Sequence, residues 1–171
     1  AELKQHHYEE LELQLNKQLE SLNSFSFPST ELPIVHAIID FKSKSAKESS
    51  AKIECSTRIL AKSTINDIDL AILLGNLLDN AIEATAVLPD HSKKEIRVFV
   101  EVTEPQMIVS VTNPVIKDIN VNHLKTTKND SQNHGYGLLA VRRIADKYNG
   151  TLLLDCQNNT FGASAVLNQP E

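Results

Sequence analysis

The sequence predicts an α+β fold: a two-layer sandwich whose mixed, mainly antiparallel sheet carries helices on one face, preceded by one amphipathic, coiled-coil-like helix. Two observations lead there. Five stretches alternate apolar and polar residues with the period of a half-buried strand, four of them arranged as two hairpins. Between them stand longer runs with helical periodicity, grouped so that helices fall on one layer rather than alternating strand by strand. A chain of 171 residues with 41% hydrophobic content suffices for one sizeable core and a small appendage.

Residues 2–24 lack Gly and Pro and place Tyr8, Leu11, Leu15, Leu19 and Leu22 at spacings of three and four. Such a narrow apolar seam with charged flanks suits helix pairing or a coiled-coil dimer. His6 and His7 near its start read as exposed helix residues, because no carboxylate or second ligand cluster accompanies them. Phe25, Phe27 and Pro28 mark a hinge, and the domain boundary falls here: residues 1–28 form a helical end and hinge, residues 29–171 the compact domain. A helix over about 30–48 follows, capped by Thr30, with Ile34, Ala37, Ile38 and Phe41 on one face and Lys42, Lys44 and Lys47 as a solvated end. Residues 52–59 predict a strand burying Ile53, Cys55, Thr57 and Ile59.

Next comes the longest helix, about 66–87, with Asn66 or Asp67 as its cap and Pro89 beyond its end. Residues 95–103 and 106–113 predict a hairpin turning at Glu104-Pro105. Periodicity then fades for some twenty residues until His134-Gly135-Tyr136-Gly137-Leu138 opens another helix that ends at Asn149-Gly150. Residues 151–156 and 160–167 close the chain as a second hairpin around Asn158-Asn159.

The net charge of −5 excludes a general nucleic-acid-coating protein. Cys55 and Cys156 suit buried, reduced thiols better than a disulfide framework. No run reaches the length of a membrane span, and residues 1–15 have no signal-peptide pattern. Starting without Met inside a helical pattern, the chain reads as a piece of something longer.

The chemistry concentrates in residues 73–85. At about 100° per residue, Asp69, Asn76, Asn80 and Glu83 share one line of an otherwise apolar helix. Buried amides and carboxylates need partners, and Mg-nucleotide is one: Asn80 offers an amide oxygen to Mg²⁺, which prefers few protein oxygens and keeps phosphate and water for the rest. A second piece is the polar loop with Lys125, Thr127 and Lys128, feeding a helix start where Gly135 and Gly137 let backbone N–H groups approach an anion; His134 adds a donor. Third, Asn113 ends a strand where its amide oxygen could accept from an adenine amine. Each piece taken alone has a plainer reading: amides bonded to a neighbouring element, a turn, and an Asn before Pro114.

In this order, the Asn76–Asn80 helix segment, the hairpin, the lysine-bearing loop and the segment opening at His134 resemble the ATP-binding domain of sensor histidine kinases. That domain lies within the wider family including gyrase, Hsp90 and MutL, and the branch most similar is that of the peptide-pheromone quorum-sensing kinases. The resemblance spans about 29–167. It implies a Bergerat-type sandwich, ATP and Mg²⁺ as ligands, Asn80 as metal ligand, and Asn76 as its phosphate-side neighbour. Lys128 and His134 would face the phosphates, and Gly135 and Gly137 match the glycine box. In hydrolytic relatives a glutamate often stands at the place of Asn76; an amide cannot serve as a base, so the site suits transfer rather than hydrolysis. Asn113-Pro114 departs from the more common Asp-containing box.

The implied function is transfer of the γ-phosphoryl of Mg-ATP to a histidine outside residues 1–171, on a dimerisation helix of the same full-length homodimeric protein, for relay to a response regulator. The implied setting is the cytoplasmic part of a membrane-bound bacterial sensor, with no nucleic-acid partner. A degenerate nucleotide-binding or protein-interaction scaffold is the alternative, and an ATP hydrolase a weaker third.

Overall fold

A computed structural model describes residues 32–121 and 135–170. The predicted 2–24 helix and the 1–28 boundary lie outside them. Among the described residues three helices and five strands follow one another: α1 (Pro33–Glu48), β1 (Lys52–Ile59), α2 (Asp67–Ala86), β2 (Glu95–Val102), β3 (Gln106–Pro114), α3 (Gly135–Lys147), β4 (Thr151–Gln157) and β5 (Thr160–Asn168). The strands form one sheet in the order β1-β2-β3-β5-β4. β1 runs parallel to β2, and every other pairing is antiparallel. This is the predicted α+β architecture with a mixed sheet.

Strict alternation builds the two layers. In β2 and β3 every second residue is buried, so Ile96, Val98, Val100 and Val102 join Met107, Val109 and Val111 on one face. α2 lies across β3 and β2, α3 across β4 and β5, and α1 packs on α2 and reaches β1. The core between the layers is aliphatic, with Leu70, Leu73, Leu74 and Leu78 of α2 buried almost completely. Each such side chain contributes roughly 1.5–3 kcal/mol by leaving water.

The first strand departs from expectation. Ile53 and Ile59 are half-buried, but Cys55 and Thr57 on the same face are exposed. Alternation marks which face could be buried; coverage requires a helix over it, and β1 is the edge strand furthest from α2 and α3. The expectation of two buried thiols is corrected accordingly: Cys55 is exposed and Cys156 partly exposed, and both are free.

The helix boundaries follow local chemistry. α1 starts at Pro33 behind Leu32, which gives no side-chain cap; the predicted cap Thr30 lies outside the described residues. Proline at the first position needs no N–H partner there. The buried face holds Ile34, Val35, Ile38 and Ile39 rather than Phe41, which is exposed. Lys42 is not part of a solvated end: its ammonium reaches Asp79 of α2 at 2.6 Å, with its stem beside Gly75. α2 starts where predicted, the Asn66 side chain accepting from the N–H groups of Ile68 and Asp69 at 2.9 and 3.3 Å.

α3 ends in a left-handed residue, Asn149 (φ 49°), and the Gly150 N–H returns to the Ala145 carbonyl at 2.8 Å. That is the Schellman arrangement. Gly150 itself serves space rather than torsion, because a β-carbon there would stand 1.8 Å from the Val166 carbonyl oxygen. Gly150→Ala should therefore lower stability by about 3 kcal/mol or more through forced backbone displacement. Urea denaturation would read this, and a parent-like midpoint would contradict it. The β4–β5 turn uses Asn158 and Asn159, both left-handed at φ 52° and 56°, as a two-residue hairpin loop requires.

Candidate functional site

The polar line on α2 meets α3, and the two helices run antiparallel. Near the start of α2, the Tyr148 hydroxyl donates to Asp69 Oδ2 at 2.6 Å, and Lys147 Nζ reaches the same oxygen at 2.6 Å. The Asn66 N–H donates to the Tyr148 oxygen at 3.1 Å. Further along α2, Asn76 and Asn80 face the first turn of α3. A β-carbon on Gly137 would lie 3.2 Å from Asn76 Oδ1 and 3.3 Å from Asn80 Oδ1.

The two halves of this line differ in kind. Asp69 is satisfied by α3 and locks the helices together. Asn76 donates its Nδ2 to the Ile72 carbonyl at 2.7 Å, one turn back, which turns its oxygen outward toward Gly137. Asn80 Nδ2 is buried with no acceptor among the described residues. Leaving an amide nitrogen so costs about 1–3 kcal/mol. A protein retains such a group where something else supplies the acceptor.

Tyr148→Phe removes the donor to Asp69 and the acceptor for Asn66 while keeping the ring, so stability should fall by about 1–2 kcal/mol. The same cluster has a pH signature. The bond to Asp69 holds the Lys147 ammonium above its ordinary value of 10.5, and burial followed by the Asp69 bond raises Tyr148 above 10.0. Groups whose proton is held more tightly in the folded state stabilise below their unfolded pKa and lose that contribution as pH rises through the folded one. Stability should thus decline above about pH 10, and Asp69→Asn should flatten that decline; thermal melts across this range check both.

The sheet supplies the floor. Gln169 and Thr64 meet at the Gln106–Asn168 end of the sheet, where α2 begins and α3 finishes. At the opposite end lie the start of α3 and the inner-face row Asn113, Phe161 and Cys156, aligned across β3, β5 and β4. Asn113 is 3% exposed and donates Nδ2 to the Pro114 carbonyl at 3.0 Å. That bond engages the amide nitrogen; the acceptor of the same amide is its oxygen. Residues 115–121 cross the β4–β5 turn at this end, where Asn159 N–H donates to Asp118 at 2.7 Å and Ile119 N–H to Cys156 Sγ at 3.4 Å.

The structure therefore brings Asn76, Asn80 and Gly137 into contact and places Asn113 at the same end. Gly135 and Tyr136 occupy the first turn of α3, and Leu138 packs partly buried against the core. Lys125, Thr127, Lys128 and His134 lie outside the described residues, as does the Tyr136 side chain. Phe161, Cys156 and Asp118 at the floor are additions that sequence reading missed. Alternation does put Phe161 on the face of Ala163 and Ala165, but only the β3–β5 register sets it beside Asn113.

Among the described residues no three His, Cys, Asp or Glu side chains cluster as a metal cage. The donors present, amide oxygens on one helix, fit an ion that shares its coordination with phosphate oxygens, as Mg²⁺ does.

Comparison with known proteins fits this geometry. The sequence matches the GHKL domain family over residues 65–168. No curated protein matches it significantly by sequence. Its fold is similar to the catalytic domain of histidine kinase ThkA, at a TM-score of 0.66 and 17% identity over 80% of this chain and 90% of that one. It is also similar to the Acinetobacter baumannii histidine kinase AdeS, at a TM-score of 0.65 and 14% identity over 99% of this chain and 82% of that one.

Proposed function

Because the chain belongs to the GHKL domain family, we propose that it is the ATP-binding catalytic domain of a sensor histidine kinase, handing the γ-phosphoryl of Mg-ATP to a histidine outside residues 1–171. The observation that carries this reading is the orphaned Asn80 amide, buried beside Asn76 and the first turn of α3. Helix N-terminal N–H groups and amides together suit a phosphate chain. When bound, Mg²⁺ would neutralise phosphate charge, with Asn80 as its protein ligand. Asn76 turns its oxygen toward the same space and has no basic atom, so it orients without activating water. Lys128, Lys125, Thr127 and His134 would add charge and donors from the segment ahead of α3, and Asn113 would read the base.

Catalysis in such a site is positioning and charge stabilisation, with the nucleophile brought by a histidine-bearing dimerisation helix of the same full-length homodimer. Relay to a response regulator, and a membrane-bound sensor of the quorum-sensing kind facing the cytoplasm, complete the reading. Its supports are the sequence resemblance and the family match.

Calorimetric titration with a nonhydrolysable ATP analogue, with and without Mg²⁺, tests it. Saturable, Mg-dependent binding is expected. Absence of binding would favour a scaffold that keeps the fold without the ligand, and steady phosphate release without any histidine acceptor would favour a hydrolase. Residues 1–171 alone should acquire no phosphohistidine; label on His6 or His7 would overturn that assignment.

A further inference from the structure

An open sheet edge recruits another strand unless something guards it, and the two edges of this sheet are guarded unequally. β4, at one edge, exposes its outer-face residues but keeps Leu152, Leu154 and Cys156 at least partly covered. β1, at the other, exposes Lys52, Glu54, Cys55, Ser56, Thr57 and Arg58, and so lies open on both faces. It has no proline, and its register with β2 runs unbroken over Lys52–Ile59, with no bulge to twist it away. The Lys52 and Leu60 N–H groups donate to the Lys94 and Val102 carbonyls at 2.9 and 2.8 Å, so the even-numbered residues turn their backbone groups toward β2. Backbone direction alternates along a strand, which aims the N–H and C=O groups of Ile53, Cys55, Thr57 and Ile59 at the free edge.

We propose that this edge pairs with β1 of a second copy of the chain, antiparallel about a two-fold axis at Ser56, joining the two sheets into one. The side chains select that register. With Ser56 opposite itself, Glu54 meets Arg58, Ile53 meets Ile59 and Cys55 meets Thr57, on both sides of the axis. An axis at Cys55 would set Lys52 against Arg58, and one at Thr57 would set Glu54 against Leu60. Opposite charges facing each other across a strand pair stabilise it, and like charges destabilise it. Glu54 and Arg58 already touch Lys52 and Glu101 at 2.6 and 3.1 Å, yet their side chains are 46% and 63% exposed and keep room for a second partner. Because the same strand serves both copies, the contact closes at two.

In an antiparallel pair, opposed residues that exchange no backbone bonds bring their Cα atoms to about 4.5 Å. Ser56 against Ser56 is such a pair, and the distance suits a disulfide. In a Cys55→Ser, Cys156→Ser background, Ser56→Cys should therefore link two chains under mild oxidation about tenfold faster than Lys52→Cys, because local thiol concentration sets the rate. The two copies of Lys52 lie at opposite ends of the paired strands, so pairing through residues 2–24 alone would not favour Ser56→Cys. Thr57→Pro removes an N–H aimed at the free edge and spares the donors to β2; it should abolish the rate difference. In the parent, exchange of the Cys55 and Thr57 amide protons should slow as protein concentration rises, while that of Ser56, whose N–H faces β2, stays constant. Equal linking rates at the two positions, or exchange at Cys55 and Thr57 that ignores concentration, would overturn the proposal.

Discussion

Asn80→Ala should make the nucleotide-free protein more stable while removing its Mg-dependent binding of ATP. The buried Nδ2 has no acceptor among the described residues, and such a group costs about 1–3 kcal/mol. Truncation removes that cost and adds the better helix propensity of alanine, roughly half a kcal/mol over asparagine. Against this stands the lost packing of a short side chain beside an open site. The net expectation is a gain of about 1 kcal/mol in urea denaturation. Binding should fall by about a hundredfold or more, since both a charge-assisted contact and a metal ligand disappear. Ligand linkage separates the two effects. Saturating Mg-ATP analogue should raise the parent's midpoint, by about 2.7 kcal/mol at a hundred times its Kd, and leave the variant's unmoved. A variant that is less stable and still binds would show that the amide is structural.

Much of the fold was legible because burial here follows strict periods. Alternation located β2, β3 and the final hairpin to within a residue or two, and the Asn66 cap fixed the start of α2. Failures occurred where a neighbour far along the chain decides the outcome. Cys55 and Thr57 carry the right pattern on an edge strand that the helices leave largely open. Lys42 looked like a solvated helix end because Asp79, its partner, is 37 residues away. In the site, helical spacing grouped Asn76, Asn80 and Asp69, but spacing could not say that α3 satisfies Asp69 and leaves Asn80 wanting. Strand register is likewise invisible in one sequence, which is why Phe161 went unnoticed while Asn113 did not.

Gly137→Ala tests the same cradle from its other wall. No glycine among the described residues has positive φ, so alanine at Gly137 meets no backbone penalty. In the first turn of α3 it should even favour the helix by roughly 1 kcal/mol. The obstacle is steric and specific. The added carbon would stand 3.2 Å from Asn76 Oδ1, 3.3 Å from Asn80 Oδ1 and 3.5 Å from Asn80 Nδ2. Something must give by a few tenths of an ångström. Asn76 is tethered to the Ile72 carbonyl and would lose that bond by moving, whereas Asn80 Nδ2 has no such tether. Asn80 therefore yields, and the displacement falls on the group assigned to the metal. Stability should stay within about 1 kcal/mol of the parent, because propensity and crowding oppose each other. ATP affinity should drop by about tenfold or more, since a displaced ligand loses geometry rather than chemistry. Calorimetry paired with thermal melts reads both quantities. If affinity were unchanged while the melt showed crowding, the two asparagines would be packing partners of α3, and the nucleotide would have to be held elsewhere along the sheet.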